Sequence, residues 1–204
     1  MKYDSVFCLW AIFITFFSLA SVIHSGPIPD TGQQTSYTDV FGEDSDYLIN
    51  PQHFTKLDKT ANTLNSNAEA WVMVRDETTG LIWEIKQTNN SIQDKSRQFL
   101  WYDPDNTTNG GDSGTNSDGS DTNDYIRTLN NQALGGFKDW RLPDIYELAT
   151  LLNMNQNANG ILSEYFPNTM QGGYWTSSTY AGSAQKAWYI SFVTGKNVYD
   201  KKPK

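Results

Sequence analysis

The sequence predicts an α+β domain, with short helices set apart from antiparallel sheet. Three observations carry this. An aromatic and β-branched hairpin, Trp71–Arg75 and Leu81–Lys86, lies early in the chain. Two short amphipathic stretches follow, one beginning near Tyr125 and one at Asp144. A run of strands from Tyr174 then completes the order.

The first hairpin is read from its Val, Ile and Trp content and from Asp76-Glu77-Thr78-Thr79-Gly80, a turn in which Gly80 supplies the positive φ. In the first helix, Ile126 and Leu129 share a face and Gly135-Gly136 is the expected stop. The second helix opens with Asp-x-x-Glu spacing at Asp144 and Glu147, a reciprocal capping box. Ile145, Leu148, Leu151 and Leu152 give it one apolar face, expected to run to about Asn153. In the closing strands Trp188, Ile190 and Phe192 alternate with Ala187, Tyr189 and Ser191, and Val193-Thr194-Gly195-Lys196 turns the chain into Asn197-Val198-Tyr199.

Residues 1–25 read as a secretory signal, with an apolar run from Val6 to Ala20 and small residues after it. Ala20 is the favoured cleavage residue and Ser25 the alternative. The expected location is secreted or cell-surface, with no membrane span after cleavage. Residues 26–50 read as an exposed leader that Phe41, Tyr47 and Ile49 pin to the domain, and 51–204 as the domain itself. Phe54 and Leu57 are its anchors in an otherwise polar stretch.

Composition narrows the chemistry. The one cysteine, Cys8, falls inside the apolar run, and the histidines are His24 and His53. Cys-His nucleophiles and Cys/His zinc sites are thereby excluded, and a Ser-His-Asp triad has only His53 to use. There are 15 Lys and Arg against 23 Asp and Glu, a net charge of -8. That sign disfavours nucleic acid, anionic membrane and sulfated polysaccharide.

Two segments offer sites. The Asp/Asn/Gly-rich insertion 103–124 carries Asp103, Asp105, Asp112, Asp118, Asp121 and Asp124, oxygen ligands suited to calcium. A solvated loop is the alternative. Asp139, Asp144 and Glu147 are the carboxylates a glycoside hydrolase would need, although capping accounts for two of them.

Three ordered motifs carry a resemblance. Thr79-Gly80-Leu81-Ile82-Trp83, then Trp140-Arg141-Leu142-Pro143 with Glu147, then Tyr174-Trp175-Thr176-Ser177-Ser178 resemble, in order and spacing, the Lcl C-terminal domain family. That family is named after the globular end of a collagen-like adhesin of Legionella. The resemblance spans about residues 41–199 and implies a C-type-lectin-like fold. It also implies a closing strand of Val-Arg-x-Val-Arg type, before which this sequence stops, so an unpaired sheet edge is expected. For Trp83, Trp140, Arg141, Pro143, Glu147, Tyr174, Trp175 and Ser177 a structural role is expected: Trp140 fills core, Pro143 shapes the helix entry, and Arg141 pairs with Asp139 or Glu147. Trp188 is likewise expected in the core. The expected function is non-catalytic adhesion to an extracellular glycan or surface protein. The alternatives are a self-associating assembly domain and, behind it, a carboxylate-based hydrolase.

Overall fold

The computed structural model describes residues 9–11, 14–16, 27–105, 107–109, 118–155 and 160–202. Eight strands and two α-helices follow one another in it: β1 (Leu9–Ala11), β2 (Ile14–Phe16), β3 (Phe54–Leu57), β4 (Met73–Asp76), β5 (Leu81–Glu84), α1 (Thr122–Gln132), α2 (Ile145–Ala149), β6 (Gly173–Thr179), β7 (Lys186–Ser191) and β8 (Lys196–Lys201). The α+β mix is as the sequence predicts. One sheet has the order β2-β5-β4-β3 and the other β1-β6-β7-β8. The three longer strands of each are antiparallel, and β1 runs parallel to β6.

The β3-β4-β5 sheet is buried on both faces. Val74, Leu81 and Trp83 face a core shared with Leu148, Leu151, Tyr174, Ile190 and Phe192. Met73 and Ile82 face a second core with Tyr125, Leu129, Trp140 and Leu142. Strand alternation sends neighbouring residues to opposite faces, so a continuous apolar run fills both cores at once. The β6-β7-β8 sheet closes the first core and carries a third cluster, Trp175, Ala187 and Tyr189, against Trp101.

Several boundaries differ from expectation. Phe54 and Leu57 belong to a strand, β3, paired with β4, and are not isolated anchors in a polar stretch. Its Lys56 is buried, with Nζ 3.9 Å from the Trp71 ring centroid and donating to the Ser66 and Ala68 carbonyls. Helix α1 stops at Ala133, which takes the left-handed conformation (φ 48°), before Gly135-Gly136 is reached. Gly135 serves packing instead: at φ 69° a Cβ there would lie 2.7 Å from Met73 Sδ. Helix α2 ends at Ala149 rather than near Asn153, because the Thr150 hydroxyl donates back to the Glu147 carbonyl and the chain leaves through turns. Leu151 and Leu152 still reach the core expected of them.

The leader is held by polar contacts, not by its aromatics. Phe41, Tyr47 and Ile49 are exposed. The Asp30 carboxylate accepts from the Ile49 and Asn50 amides at 3.0 Å, and the Met154 amide donates to Thr31 O at 2.8 Å. Among the described residues, no helix is long and apolar enough to cross a membrane.

Candidate functional site

The two central motifs join each other. Trp140 is buried, its amide and carbonyl bound by the Asn130 side chain at 2.8 and 3.0 Å, and its indole N–H donates to Leu134 O at 3.1 Å. The next residue, Arg141, makes a two-pronged pair with Glu147: Nη1 to Oε2 at 2.8 Å and Nη2 to Oε1 at 2.6 Å. Glu147 Oε2 also accepts from the Asp144 amide, and Asp144 Oδ1 accepts from the Tyr146 and Glu147 amides, so the capping box forms in full. The Ser177 amide donates to Pro143 O at 2.8 Å, and the Ile145 amide donates to Ser178 Oγ at 3.1 Å. The Trp-Arg-Leu-Pro turn and the Tyr-Trp-Thr-Ser-Ser strand are therefore two halves of one joint. Of the two carboxylates named for Arg141, Glu147 takes it. That pairing, led by the Glu147 hydrogen bonds, holds the guanidinium pKa above its usual value.

The motif aromatics are internal. Trp83, Tyr174 and Trp175 are fully buried. Trp175 Nε1 donates to Phe99 O at 3.2 Å, and the Tyr174 hydroxyl accepts from the Met170 amide at 2.8 Å. Burial pushes the Tyr174 hydroxyl pKa well up.

Trp188 departs from the expectation of a core residue. It is only partly buried, because β7 extends past the core there, and it meets two tyrosines on that face. Tyr180 and Tyr199 stack with centroids 3.8 Å apart and planes 10° from parallel, and Trp188 stands edge-on to both. Lys186 Nζ lies 5.0 Å from the Tyr199 ring centroid. Tyr199 is 39% exposed. The Trp188↔Tyr199 register sets that pair, and Tyr180 comes from the β6–β7 turn. Gly182 makes the turn fit: a Cβ there would lie 2.5 Å from the Tyr180 ring. Sequence reasoning missed this cluster, although Trp188 and Tyr199 lie opposite one another once the hairpin turn at Gly195 is placed.

The Asp-rich insertion is spent largely on local turns. Asp105 Oδ1 accepts from the Thr107 amide and hydroxyl, and Asp118 Oδ1 accepts from the Ser120 amide. Asp121 caps α1 by accepting from the Asp124 amide, and Asp124 accepts from the Gly119 amide and pairs with Arg127. Asp103 Oδ2 pairs with Lys202 Nζ at 2.7 Å, and Lys202 lies 4.1 Å from the Trp101 ring centroid. Burial raises the Asp103 carboxyl pKa, but Lys202, the Asp105 amide and the Thr108 hydroxyl outweigh it and hold it below the ordinary value. Asp112 lies outside the described residues. Among the described residues, no three His, Cys, Asp or Glu side chains gather so as to hold a metal. An open cavity of about 270 Å³ does lie here, between Trp101–Pro104, Thr108, Thr179, Ala184 and Lys202.

The carboxylates weighed for hydrolysis are placed as follows. Asp144 and Glu147 serve the cap and Arg141, and Asp139 lies at the surface. A carboxylate that sequence reasoning did not single out, Glu84, is fully buried with Lys86 Nζ 3.4 Å away. Gln93 donates to Glu84 Oε1 at 3.2 Å, and Lys86 donates to the Tyr125 hydroxyl at 2.8 Å. Desolvation pushes the Glu84 carboxyl up and the Lys86 ammonium down. Glu84 and Lys86 are buried beside Tyr125 of α1 and border a small cavity with Phe166, Asn168 and Tyr174.

Fold and joint together define a small two-sheet α+β domain. Residues 72–204 match the family described as the Lcl C-terminal domain, and the chain belongs to that family. The match starts later than the resemblance suggested and runs to the final residue. No curated protein and no solved structure matches the chain significantly.

Proposed function

We propose that this chain is an exported, non-catalytic recognition domain that binds an extracellular glycan through Tyr180, Trp188 and Tyr199. The observation that carries the reading is the aromatic cluster itself, partly exposed at Tyr180 and Trp188 and exposed at Tyr199. Flat rings on a rigid sheet offer faces against which a sugar's C–H groups pack, with little conformational entropy to lose. The net charge of -8 favours neutral or amino sugars over sulfated chains. Export rests on the apolar run Val6–Ala20, and the mass of the secreted chain tests it. The glycan reading is tested by screening immobilised neutral glycans and titrating the best binder against wild type and Tyr199→Ala. At least a tenfold loss of affinity with unchanged circular dichroism is expected. Equal affinity in the two proteins, or no glycan retained by wild type, would overturn it.

One observation favours a second reading. Ile28, Val40, Phe41, Leu48 and Ile49 of the leader are all exposed. Apolar groups grouped on one segment suit a self-associating assembly domain. Sedimentation with and without residues 27–50 separates that role from glycan binding.

A further inference from the structure

Among the described residues, two strand edges inside the fold have only the N-terminal segment as their outer neighbour. Strand β5 has β4 on one side, and β6 has β7 on one side. Their other edges are covered by the N-terminal apolar segment. Leu9, Trp10 and Ala11 pair in parallel with Gly173, Tyr174 and Trp175, and Ile14, Thr15 and Phe16 pair antiparallel with Trp83, Ile82 and Leu81. The residues so paired are central to the domain. Leu81, Trp83 and Tyr174 belong to the first core, Ile82 to the second and Trp175 to the third. An unpaired backbone edge at such a place leaves buried N–H and C=O groups without partners, which is costly.

We propose that the outer edges of β5 and β6 form a strand-acceptor site, held by Leu9–Ala11 and Ile14–Phe16 in the full chain and open, once the N-terminal segment is cleaved, to an extended apolar strand of a partner polypeptide. The paired stretches define what fits: Leu-Trp-Ala and Ile-Thr-Phe carry no charge and are rich in aromatic and branched residues. Its direction is set as well, parallel to β6 and antiparallel to β5. An apolar cavity of about 460 Å³, lined by Pro27, Ile28, Leu81, Ala149 and Leu152 among others, adjoins the site at Leu81, the partner of Phe16. A longer strand therefore has apolar surface to continue into. Main-chain pairing would supply affinity, and the apolar surface beside Leu81 would favour apolar side chains. Vacating the site rests on the export reading, whereas the site itself does not.

The test is amide hydrogen exchange on the full chain, on Thr15→Pro, and on Thr15→Pro with a peptide of residues 9–16 flanked by lysines. Proline at the paired position removes a donor and breaks the ladder. The outward-facing amides of Leu81–Trp83 should be protected in wild type, exchange at least tenfold faster in the variant, and regain protection with peptide. The β7–β8 amides should stay protected throughout, showing that the domain remains folded. Trp10→Pro, read at Gly173–Trp175, replaces Thr15→Pro if the latter unfolds. Edge amides that exchange in wild type as fast as those of residues 33–41 would overturn the site, as would protection indifferent to either proline or to added peptide. A secreted chain that keeps residues 1–25 would overturn the cleavage that opens the site and leave these exchange results standing.

Discussion

Two buried tryptophans in different sheets should respond very differently to the same substitution. Trp83 and Trp175 are both fully buried, and Trp175 Nε1 donates to Phe99 O. Trp83 Nε1 has no hydrogen-bond partner among the described residues. Replacing indole by phenyl empties roughly 40 Å³, which costs about 1 kcal/mol in cavity. Lost transfer free energy adds about 1 kcal/mol. At Trp83 the substitution also removes a buried donor whose unpaired state costs about 2 kcal/mol, so Trp83→Phe should be near neutral. At Trp175 it takes a donor from the Phe99 carbonyl and costs about 1 kcal/mol more, making Trp175→Phe about 3 kcal/mol destabilising. With a urea slope of about 2 kcal/mol/M, the two midpoints should differ by roughly 1.5 M. Urea titration followed by far-ultraviolet circular dichroism measures this directly. If Trp83→Phe lost as much as Trp175→Phe, the Trp83 indole would have to be satisfied in solution and the reasoning would fail.

Three further outcomes are expected. Burial raises the Asp76 carboxyl pKa above its ordinary 3.8, so the folded state holds a proton that the unfolded chain has released; wild-type stability then falls as pH climbs from 3.8 through the raised folded value. Asp76→Asn should gain on wild type over that interval and match it below, as urea midpoints at pH 3 and pH 7 would show. Lys202→Met strands the largely buried Asp103 and should cost about 2 kcal/mol, while adding Asp103→Asn should recover most of the loss; a non-additive double-mutant cycle checks this. Finally, the described carboxylates of the Asp-rich insertion already serve local hydrogen bonds, so the thermal midpoint should move by less than about 2 °C between calcium and chelator. A larger rise would place a calcium site there.

What the sequence made legible was local. The capping box at Asp144 and Glu147 forms as spelled, because every group in it lies within one helical turn. Gly80 takes its positive φ of 77° for the same reason. The joint between Pro143 and Ser177 was legible only as two motifs, since the hydrogen bond that unites them is made by backbone atoms, which all residues share. Lys56 disguised β3: a lysine among Asn, Asp and Thr reads as solvated until Trp71 and two carbonyls are found around its ammonium. Glu84 and Lys86 disguised a buried pair in the same way. Trp188 failed differently, because alternation gives the face a side chain points to but not where along that face the core ends.

The Lys202–Asp103 clip has a mechanical consequence. Strand β8 runs antiparallel to β7 along a sheet edge, with Lys201 paired to Lys186 at its far end. A pull applied beyond Lys202 lifts β8 from that end and opens the ladder one pair at a time, a geometry that resists force weakly. The first bonds to take the load are the ion pair to Asp103 and the Lys202 amide to Gln185 O, at 2.9 Å. A surface domain tethered on that side would owe its grip under tension to these two contacts more than to its cores.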